Sequence, residues 1–214
     1  MGSFSISGHV GGEQSFLGPT LAIPYTIPPA TPAEFARHGT YLVFPAQASA
    51  VAKTATEERR RSLFKVPVFK AELKLDANFD LSGVPAALPS GATLDWDRAE
   101  IVVGVSDARG AQADATLTTD GKTSTLVPAN VAPDISIGSD PNQHVKLTLF
   151  GAGAASIAQP DAKFNVSSSL KFSGAQRIAV LAYGKTTHVT MQGDWPSPGF
   201  DGGFLPANHQ LSGN

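Results

Sequence analysis

With 214 residues and 42% hydrophobic content, the chain can bury a sizeable core; its 16% of charged residues is below the roughly 25% of an average globular protein. A net charge of −2, with no like-charge block longer than Arg59-Arg60-Arg61, excludes the electrostatic footprint of a nucleic-acid-binding protein. The lack of cysteine excludes a disulfide framework and thiolate metal sites, and the 21 glycines and 16 prolines favour many short strands over long helices.

Met1 to Gly12 has neither a basic stretch nor an apolar one, so it does not read as a signal peptide. No apolar run reaches the roughly 18 residues that span a bilayer. Thr31-Pro32-Ala33-Glu34 has the form of a capping box with proline at the first helical position, and predicts a short helix to Arg37. Thr56–Ser62 is read as another turn. From Ala71 to Leu81 apolar and polar residues alternate without a break, which predicts a strand with one buried and one wet face. Upstream the parity reverses, with Phe64, Val66 and Val68 as the apolar set. The switch at Val68-Phe69 predicts either a β-bulge or a strand covered on both sides. Pro67 cannot donate to a ladder, which places that stretch at an edge or beside the bulge.

Further strands are expected at Glu100–Val105, 113–119 and 122–127. Asp120-Gly121 joins the last two as a two-residue hairpin loop, pairing Leu117 with Ser124 and Ala115 with Leu126. Ala152–Asp161 reads as a loop. Val145–Phe150, Phe164–Phe172, Arg177–Tyr183 and Thr186–Gln192 complete the set, with Phe164, Val166, Ser168, Leu170 and Phe172 facing inward. The expected fold class is mainly β, an antiparallel sandwich-like arrangement or a strongly bent sheet with short helical turns. One β-rich domain over 1–214 is expected, with 1–10 a disordered or artificial leader.

Five segments, in order, carry a resemblance. They are Gly11-Gly-Glu-Gln-Ser-Phe-Leu-Gly-Pro-Thr-Leu-Ala-Ile-Pro-Tyr25; Tyr41-Leu-Val-Phe-Pro45; Arg59-Arg-Arg61 through Val66-Pro-Val-Phe69; Leu94-Asp-Trp96 followed by Val103-Gly-Val-Ser-Asp-Ala-Arg-Gly110; and Asp194-Trp-Pro-Ser-Pro-Gly-Phe-Asp-Gly-Gly-Phe-Leu-Pro206. Together they resemble the CreD family of cell-envelope integrity inner-membrane proteins, over roughly residues 11 to 206. The resemblance implies an extracytoplasmic domain on the periplasmic face of the inner membrane, with one membrane helix before it and several after it. Its partners would then be those helices, with an envelope protein or a glycan as a further candidate. Ala111, Gly193 and Gly199 depart from the family's usual residues, and weaken a chemical role for a hydroxyl at those points.

Gly104-Val-Ser-Asp-Ala108 is close to a nucleophile elbow around Ser106, but that motif needs a following helix and a histidine base. The residues read better as a turn that Asp107 and Arg109 close, with Gly110 at positive φ. Asp107 and Arg109 are candidate ligand or partner contacts. In Asp194–Pro206 the prolines force an extended path, and the aromatic residues carry too much apolar surface to hang in water. The segment is expected to strap over the end of the core, with Asp194, Trp195, Phe200 and Phe204 as candidate docking residues. His9, His38, His144, His188 and His209 lack metal-ligand spacing, and His188 shares the polar set of Thr186 and Thr190. Asp95 and Asp97 fall on one side of a strand, without a readable glycosidase geometry. Asn165-Val-Ser167 matches a glycosylation sequon by pattern, and Arg59–Arg61 reads as a solvated run or a contact for anionic head groups. No catalytic residue, metal site or cofactor is assigned. The expected role is binding or scaffolding in envelope integrity; the alternatives are an envelope hydrolase or a ligand-sensing module.

Overall fold

The computed structural model describes residues 14–61, 64–84, 88, 90–111, 113–132, 134–137, 145–174 and 178–194. Among these the secondary structure is mostly strand, as expected, with 3-10 turns at Trp96–Arg98 and Ala108–Gly110. In chain order the strands are β1 (Gln14–Ile27), β2 (Arg37–Val43), β3 (Gln47–Arg61), β4 (Phe64–Asp80), β5 (Thr93–Leu94), β6 (Glu100–Val105) and β7 (Thr116–Thr119). They continue with β8 (Lys122–Thr125), β9 (Val127–Pro128), β10 (Asp134–Ile137), β11 (Val145–Gly153), β12 (Lys163–Gly174), β13 (Ile178–Val180) and β14 (Thr186–Gly193). One sheet runs β10-β11-β6-β1-β13, with β2 and β5 also on β1 and β9 on β11; the other runs β14-β3-β4-β12-β7-β8. All pairings are antiparallel except β1 with β13 and β14 with β3.

The second sheet follows the sequence pattern closely. On β4, Ala71, Leu73, Leu75, Ala77 and Phe79 are buried, while Lys70, Glu72, Lys74, Asn78 and Asp80 are exposed. β12 lies opposite in an unbroken register from Lys163↔Asp80 to Gly174↔Phe69, so Val166, Ser168, Leu170 and Phe172 join the same buried face. The hairpin forms as expected. Leu117 pairs with Ser124, the Leu126 N–H donates to the Ala115 carbonyl at 2.8 Å, and Asp120 and Gly121 take φ of 49° and 74°. The parity switch on β4 resolves without a bulge. β3 pairs through it in constant register, and Val68 and Phe69 are both buried, so this part is covered on both faces. The bulge lies elsewhere, on β1. The pairing with β6 slips one residue between Leu17 and Thr20, around Gly18-Pro19, where a missing proline N–H does no harm.

Several local readings are corrected. Thr56–Ser62 is not a turn: as far as Arg61 it continues β3, because β4 supplies a ladder partner for each residue. Thr31–Glu34 stops at a single turn, with Glu34 N–H on the Thr31 carbonyl, and β2 begins at Arg37. Arg177–Tyr183 shortens to the three residues of β13, after which the chain crosses to the other sheet.

The two sheets share one hydrophobic cluster, with Phe16, Leu17, Leu21, Ile101, Val103 and Leu147 from the first and Ala50, Leu73, Leu75, Phe79 and Leu170 from the second. Phe16 and Phe172 meet edge to face across the interface, with ring centroids 5.0 Å apart. Tyr183, on the crossing segment, is 1% exposed. Its ring lies against Gly18 of β1, and its hydroxyl sits between the carbonyls of Ser49 on β3 (2.6 Å) and Asp76 on β4 (2.9 Å). Burial pushes the phenol's pKa up, so it stays protonated and able to donate.

Two substitutions test this link. Gly18→Ala puts a methyl group into the Tyr183 ring and should cost about 1–3 kcal/mol of unfolding free energy. Tyr183→Phe removes only the hydroxyl and should cost about 1 kcal/mol. Urea unfolding of the purified chain checks both; an unchanged midpoint for Gly18→Ala would show that the ring does not rest on β1.

Candidate functional site

The turn after β6 holds the most singular cluster of sequence-selected residues. Strand β6 is buried along its whole length, and Ser106 is clamped to β1 as the chain leaves it. Ser106 N–H donates to the Ser15 carbonyl at 3.0 Å, and Ser15 N–H donates to the Ser106 hydroxyl at 2.8 Å. The chain then makes a 3-10 turn of three residues, far short of the helix that a nucleophile elbow needs. His38 sits at the other end of β1, paired with Thr26, roughly 36 Å along the strand at about 3.3 Å per residue. The other described histidine, His188, is exposed on β14 in the second sheet, as its pattern suggested.

Asp107 caps the turn. Its carboxylate accepts the Arg109 N–H at 2.9 Å, and the guanidinium closes on it through Nε at 2.9 and 3.0 Å and one terminal nitrogen at 2.6 Å. This fork holds the Asp107 carboxyl below its usual pKa, mainly through the guanidinium and also through the backbone N–H. The expected closure by Asp107 and Arg109 is therefore observed, but one detail differs. Gly110 is not among the residues with positive φ. Glycine is needed there because a Cβ would collide with the Ser173 carbonyl of β12 and press on the Gln14 side chain. The turn is thus wedged between β1 and β12. Beside it, Gln14 and Ser173 are fully buried, and their side-chain polar atoms have no hydrogen-bond partner among the described residues. Each such group costs about 1–3 kcal/mol, so this end carries more polarity than packing alone would select.

Asp194 closes the other flank of the same end. Its carboxylate accepts the Thr56 N–H at 3.0 Å on each oxygen, and the Thr56 hydroxyl at 3.0 Å. These bonds, the backbone one first, lower its pKa. The first residue of the Asp-Trp-Pro motif is therefore an anchor on β3. Trp195, Phe200 and Phe204 lie outside the described residues, as do His9, His144 and His209.

Other candidates separate. Asp95 and Asp97 do not share a strand face; Asp97 lies within the Trp96–Arg98 turn, and Asp95 precedes it and reaches Arg98 at 3.8 Å. Asn165 is exposed and accepts from Asn78 at 2.7 Å. With Ser49, Asp76, Ser167, Thr118 and His188 it lines a shallow groove of about 550 Å³ on the outer face of the second sheet. Sequence reasoning missed Glu100. This buried carboxylate accepts the Asn130 N–H (3.0 Å), the Asn130 side-chain amide (2.9 Å) and the Val131 N–H (3.3 Å), and so holds the 129–132 segment to β6. The signal was there: a lone charge opens the run Ile-Val-Val-Gly-Val. No group of three or more metal-ligating side chains occurs among the described residues.

The pH dependence has a definite sign. Asp107, Asp194 and Asp80, the last bonded to Lys163 and Ser82, all have lowered pKa values in the folded chain. Their contribution is present above the ordinary carboxyl pKa of 3.8 and is lost as pH falls below it through the folded values. Urea midpoints should be flat above about pH 5 and fall below pH 4. Asp107→Asn should be less stable than the parent at neutral pH and lose less on acidification; an unchanged slope would mean that the Arg109 fork does not stabilise the fold.

Among the described residues no helix is long and apolar enough to cross a membrane. No solved structure matches the chain. One relative, the inner membrane protein CreD of Escherichia coli strain K12, is 27% identical over 206 residues, which cover 94% of this chain and 43% of the relative. The chain thus spans less than half the length of that curated relative. The family described as inner membrane protein CreD matches residues 3–214. The order of motifs, the strand-rich fold and this match over nearly the whole length agree: the chain belongs to the CreD family of inner membrane proteins.

Proposed function

We propose that the chain is one extracytoplasmic β domain, held at the periplasmic face of the inner membrane, which serves envelope integrity by binding or scaffolding rather than by catalysis. The observation that carries this reading is how the polar groups of the last two family-like motifs are used. The Ser106 hydroxyl accepts a β1 amide, Asp107 caps its own turn, and Asp194 accepts a β3 amide. A nucleophile or general base must instead present its reactive atom to substrate. The partner is the protein's own membrane helices, with a further envelope protein or a glycan as a second contact. The contacting residues are Asp107, Arg109 and Asp194, continued by Trp195, Phe200 and Phe204. Supporting it, Gln14 and Ser173 keep uncommitted hydrogen-bonding capacity at this end.

The cysteine-free sequence makes the location testable. Lys122→Cys, at the exposed hairpin, should react with a membrane-impermeant maleimide in intact cells that make the membrane-embedded protein. Labelling only after the inner membrane is broken would refute the periplasmic placement. For the catalytic alternative, the parent chain and Ser106→Ala should both leave peptidoglycan fragments unchanged; turnover by the parent that the variant loses would install the hydrolase reading.

A second reading, a ligand-sensing module, is favoured by the outer groove, where Asp76, Asn78, Asn165 and His188 offer hydrogen bonds on one face. A soluble muropeptide seated there should raise the melting temperature, and Asn165→Ala should remove the rise.

A further inference from the structure

Strands β3 and β4 outrun the sheet they belong to. They pair without interruption to Arg61↔Phe64. Their neighbours stop earlier, β14 at Gly193↔Thr54 and β12 at Gly174↔Phe69. From Glu57↔Val68 onward the two strands therefore form a ribbon with no further strand paired on either side among the described residues. At about 3.4 Å per residue, it reaches roughly 17 Å past the Thr56 rung.

The charge along this ribbon is graded. Glu57 and Glu58 lie at its base, and Glu57 is paired with Lys70 of the sheet at 2.8 Å. Beyond them the described positions carry only cationic and apolar residues, with Arg59 opposite Val66, Arg60 opposite Lys65 and Arg61 opposite Phe64. Four cations thus gather at the far end of a ribbon in a chain whose net charge is −2. A positive tip with apolar residues among the cations suits an anionic bilayer surface, which attracts basic residues and accepts apolar ones.

The ribbon's direction supplies an independent observation. Gln14, where β1 starts, lies beside Gly110 and Ser173; Ser173 pairs with Lys70, and Lys70 pairs with Ala55. Asp194, just after β14, is bonded to Thr56. The first and last described strands therefore both open at the end from which the ribbon projects, and β14, parallel to β3, points along it. We propose that the β3–β4 ribbon is a membrane-contact element whose Arg59, Arg60, Arg61 and Lys65 bind anionic phospholipid head groups. This rests on the proposed periplasmic placement, in which the membrane-embedded part adjoins that end.

Vesicle co-sedimentation of the purified chain tests it. The chain should sediment with vesicles of equal parts phosphatidylcholine and phosphatidylglycerol, should remain in solution with phosphatidylcholine alone, and should be released by salt. R59S/R60S/R61S should lower the partition coefficient at least about tenfold, since each cation near an anionic surface is worth roughly fivefold. R59K/R60K/R61K should retain binding, and K53S/K122S/K185S, which removes the same charge elsewhere, should bind like the parent. Circular dichroism confirms that each variant is folded; if the serine triple is not, single substitutions should show graded losses. Failure of the parent to bind anionic vesicles, equal binding of the serine and parent chains, or equal loss in the control triple would each overturn the proposal. A DNA duplex that binds the ribbon as tightly at the same salt would overturn the lipid assignment. The maleimide experiment separates the two claims. Periplasmic labelling with no vesicle binding rejects the ribbon alone, whereas labelling confined to broken membranes rejects the periplasmic placement whatever the vesicles show.

Discussion

The position of Tyr183 ties the two sheets together. One side chain touches both layers, its ring on the main chain of β1 and its hydroxyl between β3 and β4 carbonyls. The contact works only because residue 18 is glycine and because β1 bulges there. Stacked sheets held by aliphatic packing alone have little to stop them sliding, since the hydrophobic effect has no direction. A hydroxyl fixed between two carbonyls does have direction. It sets the position of the second sheet against the first, and with it the wedge of Gly110 between β1 and β12.

Legibility in the sequence depended on how strands are covered. β4 and β12 have one wet face, so their alternation was plain, and the Asp-Gly loop fixed the hairpin register to the residue. β1 was unreadable for the opposite reason. Its residues from Gln14 to Ile23 are all buried, so no alternation survives, and Gly18-Pro19 looks like punctuation when it is a bulge inside a strand. The end of β3 was misread because Glu-Glu-Arg-Arg-Arg is polar throughout; it is a strand only because β4 lies beside it. That is tertiary structure overriding local preference.

The candidate site was legible in part. The closure of the turn by Asp107 and Arg109 could be read from residue types alone. The reason for Gly110 could not, because it depends on the Ser173 carbonyl, distant in sequence. The partners of Ser106 and Asp194 are also amides of distant strands, which no local pattern encodes. Glu100 was visible only as an anomaly, a single acid heading an apolar run, and its meaning depends on two amides about thirty residues further on.

The two parallel pairings bear on how the chain acquires its shape. β13 completes an edge of β1, and β14 completes an edge of β3, so the latest strands close the earliest ones. A chain delivered from its N-terminus presents β1 and β3 with open ladders until more than a hundred further residues have arrived. Such long loop closures are slow, and open strand edges invite pairing with other chains. Assembly would thus pass through a window in which the open edges of β1 and β3 are exposed to other chains, and β13 and β14 close it.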